Sequence, residues 1–82
     1  MIIYKQPEFG GKMMELTDDC PSLCERFQSS DIHSCNVNDG NWIFYEHPHY
    51  RGRQYLMKPG QYRSFLEWGS MSSRVGSIKR II

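Results

Sequence analysis

The segment YKQPEFGG, residues 4–11, and the segment YEHPHYRG, residues 45–52, are one pattern written twice. Tyr4, Pro7, Phe9 and Gly11 fall on Tyr45, Pro48, Tyr50 and Gly52 with a constant shift of 41 residues, half of the 82-residue chain. An internal repeat at that period limits the architecture to two copies of one unit, residues 1–40 and 41–82. Eighty-two residues make one small domain, near the size at which a hydrophobic core can just hold a chain without staples.

Each unit reads as β structure. IIY and WIFYE, before the turns, are rich in β-branched and aromatic residues, and KMMELT (12–17) and RQYLMK (53–58), after them, mix apolar with polar positions. The repeated segment is therefore a hairpin connection. Pro7 and Pro48 need places without a ladder donor, and Gly11 and Gly52 fall where positive φ is expected. LCERF and FLEW can each form one helical turn in the long polar stretches that follow. HSCNV and GSIKRI are short closing strands led by Ser34 and Ser77, and NDGN joins the units as an Asx-Gly turn. A hairpin, a third short strand and a fourth strand returning by a long connection describe a Greek key. Two of them give an all-β sandwich with short helical turns in its long connections.

These residues carry a resemblance. Tyr4, Phe9, Gly11 and Ser34, and again Tyr45, Tyr50, Gly52 and Ser77, resemble the repeat of the βγ-crystallins, and the resemblance covers all 82 residues. TDDCPSL, HSCNV, WIFYE and YRGRQYL look like the C-terminal domain of vertebrate γ-crystallins, the γS type most of all. The resemblance implies a folded-over hairpin in each unit, its serine bonding back to backbone and its two aromatic rings stacked across the bend. Tyr62, after Pro59 and Gly60, is similar to the tyrosine corner of such sandwiches, and Trp42 and Trp68 belong by the same likeness to the core of the second unit. The resemblance also implies a domain-pairing patch: Ile43, Leu56 and Ile81 at its apolar centre, Gln54 and Lys58 at its rim. The partner is then another crystallin domain, in cis or in a homodimer. The chain is expected to be half of a two-domain protein, with Met1 added or replacing a linker residue.

Other sites weigh little. His47 and His49 flank a proline in a hairpin whose first copy carries Gln6 and Glu8 there, His33 is remote, and no Cys or Asp adjoins the pair. Zinc needs converging ligands, so no metal site is expected. The calcium motif of related modules, Asp/Asn-Asp/Asn-x-x-Ser/Thr-Ser, is degraded in both copies. SSDIHS (29–34) has Ser29 and Ser30 in place of the acids, and SSRVGS (72–77) has no acid, Gly76 where a hydroxyl belongs and the charge of Arg74. Affinity is expected to be millimolar or weaker. No GxSxG and no Gly-rich loop opening a helix is present, so neither an enzyme nor a cofactor is expected. Asp18 and Asp19 read as solvated or capping groups.

Six Arg and four Lys against five Glu and four Asp leave a net charge of +1 with no basic stripe, which argues against nucleic acid and anionic membranes as partners. The longest apolar runs are a few residues, and no signal-peptide order opens the chain. Cys20, Cys24 and Cys35, odd in number and without CxxC, read as free thiols buried as small hydrophobes in a reducing compartment. By resemblance the function is that of a structural eye-lens constituent in the cytoplasm of lens fibre cells, packed densely among other crystallins. Eleven aromatics, five Met and an excess of Arg over Lys supply polarizable groups for refraction. A weak or degenerate calcium-binding module, and a protein or glycan adaptor on the same sandwich, are the alternatives, and fold alone does not separate them.

Overall fold

A computed structural model of the chain describes residues 1–81. Seven strands form two antiparallel sheets: β1 (Ile2–Gln6), β2 (Gly10–Glu15), β3 (Ser34–Val37), β4 (Trp42–His47), β5 (Arg51–Met57), β6 (Gly60–Tyr62) and β7 (Ser77–Arg80). One sheet runs β2-β1-β3-β6 and the other β5-β4-β7. A one-turn helix α1 (Leu23–Arg26) lies in the first long connection and a 3₁₀ turn (Phe65–Trp68) in the second.

Each sheet is not simply one repeat. The short strand after each hairpin crosses to the sheet of the other unit: β6 pairs with β3 through Cys35↔Tyr62, Asn36↔Gln61 and Val37↔Gly60. In exchange Cys20 bridges to Ile78 of β7, with N–H···O distances of 2.7 and 2.9 Å in the two directions. The third strand of the first unit thus shrinks to a single bridge. Each unit is completed by a piece of the other, and buried side chains from both form one cluster.

The strands after the hairpins begin earlier than the sequence pattern suggests, at Gly10 and Arg51, so Gly11 and Gly52 lie inside β2 and β5. The cause is a register shift at matching places, between Tyr4 and Gln6 and between Tyr45 and His47, which folds each hairpin over and lets Gln6 pair Gly10 and His47 pair Arg51. A bulge bends its strand and re-aims the chain beyond it.

Strand alternation then sorts the core. Ile3 on β1, Trp42 and Phe44 on β4 and Ile78 on β7 point inward and are fully buried, joined by Leu16, Leu23, Phe27, Ile32 and Met57. Leu23 and Phe27 are brought in by α1, four residues apart on one helical face. Trp42 keeps its indole N–H satisfied by the Asp39 carbonyl at 3.1 Å, and the Arg80 guanidinium sits 5.2 Å from its ring centroid. Trp68 packs edge-on against Phe44 at 5.3 Å and Tyr62 at 6.2 Å.

Candidate functional site

The two folded hairpins are the most elaborated feature of the molecule. In the first, Glu8 and Phe9 take φ of 57° and 59° and Gly11 takes 72°. In the second, His49 and Tyr50 take 62° and 61° and Gly52 takes 85°. A left-handed conformation is cheap only for glycine, so the two non-glycine residues in each bend hold strain of order 1 kcal/mol apiece. Three contacts hold it. Tyr4 and Phe9 meet edge-on at 5.6 Å and Tyr45 and Tyr50 at 5.5 Å. The fully buried Ser34 hydroxyl accepts the Phe9 N–H at 2.9 Å and donates to the Gln6 carbonyl at 2.7 Å. Ser77 repeats both bonds on Tyr50 and His47 at the same distances.

Each bend is also tied to the opposite unit. The Glu8 amide donates to the Arg63 carbonyl and the His49 amide to the Pro21 carbonyl, both at 2.9 Å. The left-handed residues aim these two amides outward, which gives the strain a use: the hairpins clasp the crossing strands. Tyr62 pins its own crossing, its hydroxyl donating to the Lys58 carbonyl at 2.9 Å and accepting the Lys58 N–H at 3.1 Å. Asp19 is exposed, and in addition its Oδ1 accepts the Arg80 N–H at 2.7 Å, which ties it to the end of β7.

His47 and His49 are exposed, and His47 Nε2 lies 3.6 Å from Glu46 Oε1. His33 is elsewhere, its Nδ1 2.7 Å from the Lys5 carbonyl. Among the described residues no three His, Cys, Asp or Glu gather closely enough to hold a metal ion, and the described surface has no pocket. Segments 29–34 and 72–77 lie side by side, Ile32 donating to the Ser73 carbonyl and Val75 to the Ser30 carbonyl, each at 2.8 Å. Their leading hydroxyls turn back on their own chain: Ser29 Oγ accepts the Asp31 amide at 3.1 Å and Ser72 Oγ the Arg74 amide at 3.3 Å. Asp31, the one carboxylate in either segment, accepts the Ser73 hydroxyl at 3.0 Å. Calcium would have to compete with these internal bonds at a site that offers a single carboxylate.

Ile43 and Leu56 are cross-strand partners, and Tyr45 pairs Gln54 on the same outward face of the three-stranded sheet. Leu56 is 55% and Ile81 49% exposed, while Ile43 is half-buried; Lys58 and Gln54 are exposed. Ile81 is held beside the start of β4 by the hydrogen bond from its amide to the Asn41 carbonyl at 2.8 Å.

The cysteines divide. Cys20 and Cys35 are buried, and burial pushes the Cys35 thiol up to about 12 and raises that of Cys20, against an opposing pull from Arg26. Both are held as inert thiols. Cys24, expected inside, is exposed: α1 starts only after Pro21 and gives its inward position to Leu23, so the next residue faces out.

The Beta/Gamma crystallin family model matches residues 1–81. The chain is 62% identical over 82 residues to gamma-crystallin S-1 of Chiloscyllium indicum and 54% identical over 82 residues to gamma-crystallin B of Bos taurus, covering all of this chain and 47% of each relative. It spans about half the length of these curated relatives. Among solved structures, a beta gamma crystallin from Ciona intestinalis superposes with a TM-score of 0.93 at 28% identity, over 98% of this chain and 96% of the other. A transition-metal-ion-binding betagamma-crystallin from Methanosaeta thermophila gives 0.86 at 21% over the whole of both chains, a likeness of fold alone.

Proposed function

The chain belongs to the beta/gamma crystallin family, and from that membership we propose that it is a structural constituent of the eye lens, a stable domain that packs at high density and refracts. The observation that carries the reading is the 62% identity to a gamma-crystallin along the full 82 residues, site residues included in the matched span. The geometry supports it: strain at both bends is locked by buried hydroxyls, and each unit is clasped by the other. Such a domain resists local opening, which is what persistence at high concentration requires. Aromatic side chains make up 13% of residues, which favours refraction. No enzymatic role belongs to this reading, since the relatives are named as crystallins.

No helix among the described residues is long and apolar enough to cross a membrane. The proposed place of action is the cytoplasm of lens fibre cells, and the proposed parent is a two-domain protein of which this is one half. Two measurements test the reading. Static light scattering on increasingly concentrated domain should show a smoothly falling osmotic compressibility. Calorimetric calcium titration should show millimolar or weaker binding, in keeping with segments that offer a single carboxylate and hydroxyls that bond to their own chain. Turbidity at modest concentration, or micromolar calcium affinity, would overturn it.

The partner proposed for the outward face of β4, β5 and β7 is a second crystallin domain seated on Ile43, Leu56 and Ile81, with Gln54 and Lys58 at the rim. Two large apolar side chains about half exposed, Leu56 on β5 and Ile81 just beyond β7, support it. Sedimentation equilibrium should reveal weak self-association of the isolated domain, lost in Leu56→Glu. Association unchanged by that charge would move the interface elsewhere.

A further inference from the structure

We propose that the Asp39–Gly40 bond is a site of spontaneous backbone isomerisation, at which Asp39 passes through a cyclic imide to isoaspartate. The chemistry needs a side-chain carboxyl close to an unshielded, unbonded amide nitrogen on the next residue. Seven Asp and Asn residues are present, and Asp39 alone precedes a glycine. The other six are followed by Asp19, Cys20, Ile32, Val37, Asp39 and Trp42, whose side chains crowd the nitrogen.

The structure separates the sites further. Asn36 lies within β3, paired on both sides with Ile2 and Gln61. Asp19 has its carboxylate on the Arg80 amide, and the amide after Asp31 is spent on the Ser73 carbonyl. Asp39 stands in the turn between β3 and β4 with 77% of its side chain exposed, its carboxylate 3.7 Å from Arg80 Nη2. Gly40 takes φ of 78°, and its amide makes no hydrogen bond to any described residue. No ladder bond has to break before that nitrogen can turn onto the carboxyl.

The steps balance without any added reagent except water. The Gly40 nitrogen bonds to Asp39 Cγ, and its proton leaves with the carboxyl hydroxyl as water. A returning water opens the ring at one carbonyl or the other, restoring aspartate or routing the chain through Cγ. The isoaspartate form adds a methylene to the main chain and displaces the carbonyl that accepts the indole N–H of the buried Trp42. The damage is therefore transmitted from an exposed turn to a fully buried ring.

The intact domain is incubated at neutral pH and body temperature, then digested. Isoaspartate is located by electron-transfer fragmentation and by methylation with an isoaspartyl methyltransferase. The expected result is accumulation at residue 39 ahead of the other six sites. The signal should be lost in Asp39→Glu, which keeps the charge but would need a larger, slower-forming ring. Earlier accumulation at another residue, an unchanged signal in Asp39→Glu, or an unmodified Asp39 in the domain while its tryptic peptide isomerises would each overturn the proposal. None of these outcomes depends on the proposed lens role.

Discussion

Gly76→Ala is expected to lower the stability of the domain by about 3 kcal/mol or more, well beyond the ordinary cost of one added methyl. Gly76 is buried where the long connection enters β7; its amide donates to the Tyr45 carbonyl and its carbonyl accepts the Leu23 amide, both at 2.8 Å. A Cβ there would stand 2.7 Å from His47 Cα and closer still to the His47 carbonyl carbon and the Pro48 nitrogen. All three are backbone atoms of the second hairpin, so no rotamer change relieves the overlap. Gly76 is not among the residues with positive φ, and the cost is therefore steric. It must also exceed the ~0.4 to 1 kcal/mol that Gly→Ala gains by stiffening the unfolded chain. The first unit supplies the control. His33 makes the equivalent bond to the Tyr4 carbonyl at 3.1 Å, yet its side chain reaches out to the Lys5 carbonyl, so His33→Ala should cost about 1 kcal/mol or less. For a domain of this size the difference corresponds to a gap of roughly 10 °C in melting temperature. Urea unfolding of the two variants measures it, and equal stabilities would mean that the second hairpin can lift from β7 without penalty.

That asymmetry marks the limit of what the amino-acid pattern discloses. The bends were legible because aromatic, proline and glycine positions recur at a fixed shift, and because Ser34 and Ser77 open the closing strands. Two-sheet architecture followed from the strand count in each repeat. The exchange of short strands was not legible, since β6 is three residues with a glycine and a glutamine and shows no apolar alternation that would choose a sheet. The pattern points to positive φ at Gly11 and Gly52 but not at Glu8, Phe9, His49 and Tyr50, where nothing in the side chains announces it. There the strain is imposed by distant partners, Ser34 and Ser77, and only the folded chain brings them near. Gly76, read from its segment as a lost calcium ligand, is a packing necessity set by backbone 28 and 29 residues earlier, at Pro48 and His47.

Ser34→Ala and Ser77→Ala should each destabilise the domain by about 2 to 3 kcal/mol, because one deletion removes the partner of two part-buried backbone groups in a strained bend. Phe9 or Tyr50 loses the acceptor for its amide, and Gln6 or His47 loses its donor. Water cannot readily replace a hydroxyl whose residue is fully buried. The left-handed pairs Glu8–Phe9 and His49–Tyr50 then keep their strain without the bond that offset it, and relaxation toward negative φ withdraws the Glu8 and His49 amides from Arg63 and Pro21. Loss in one unit is in this way felt in the other. The double variant should fall short of independent addition, the second deletion acting on a clasp already loosened, in contrast to the additivity of distant sites. Ser29→Ala, which removes an exposed hydroxyl from a single amide, is the reference and should cost only about 0.5 kcal/mol. Denaturant unfolding gives the energies, and hydrogen exchange at the Phe9 and Tyr50 amides shows where they arise. If both amides stay protected while the buried-serine variants cost no more than Ser29→Ala, the bends are held by their rings and glycines, and the hydroxyls are incidental to the fold.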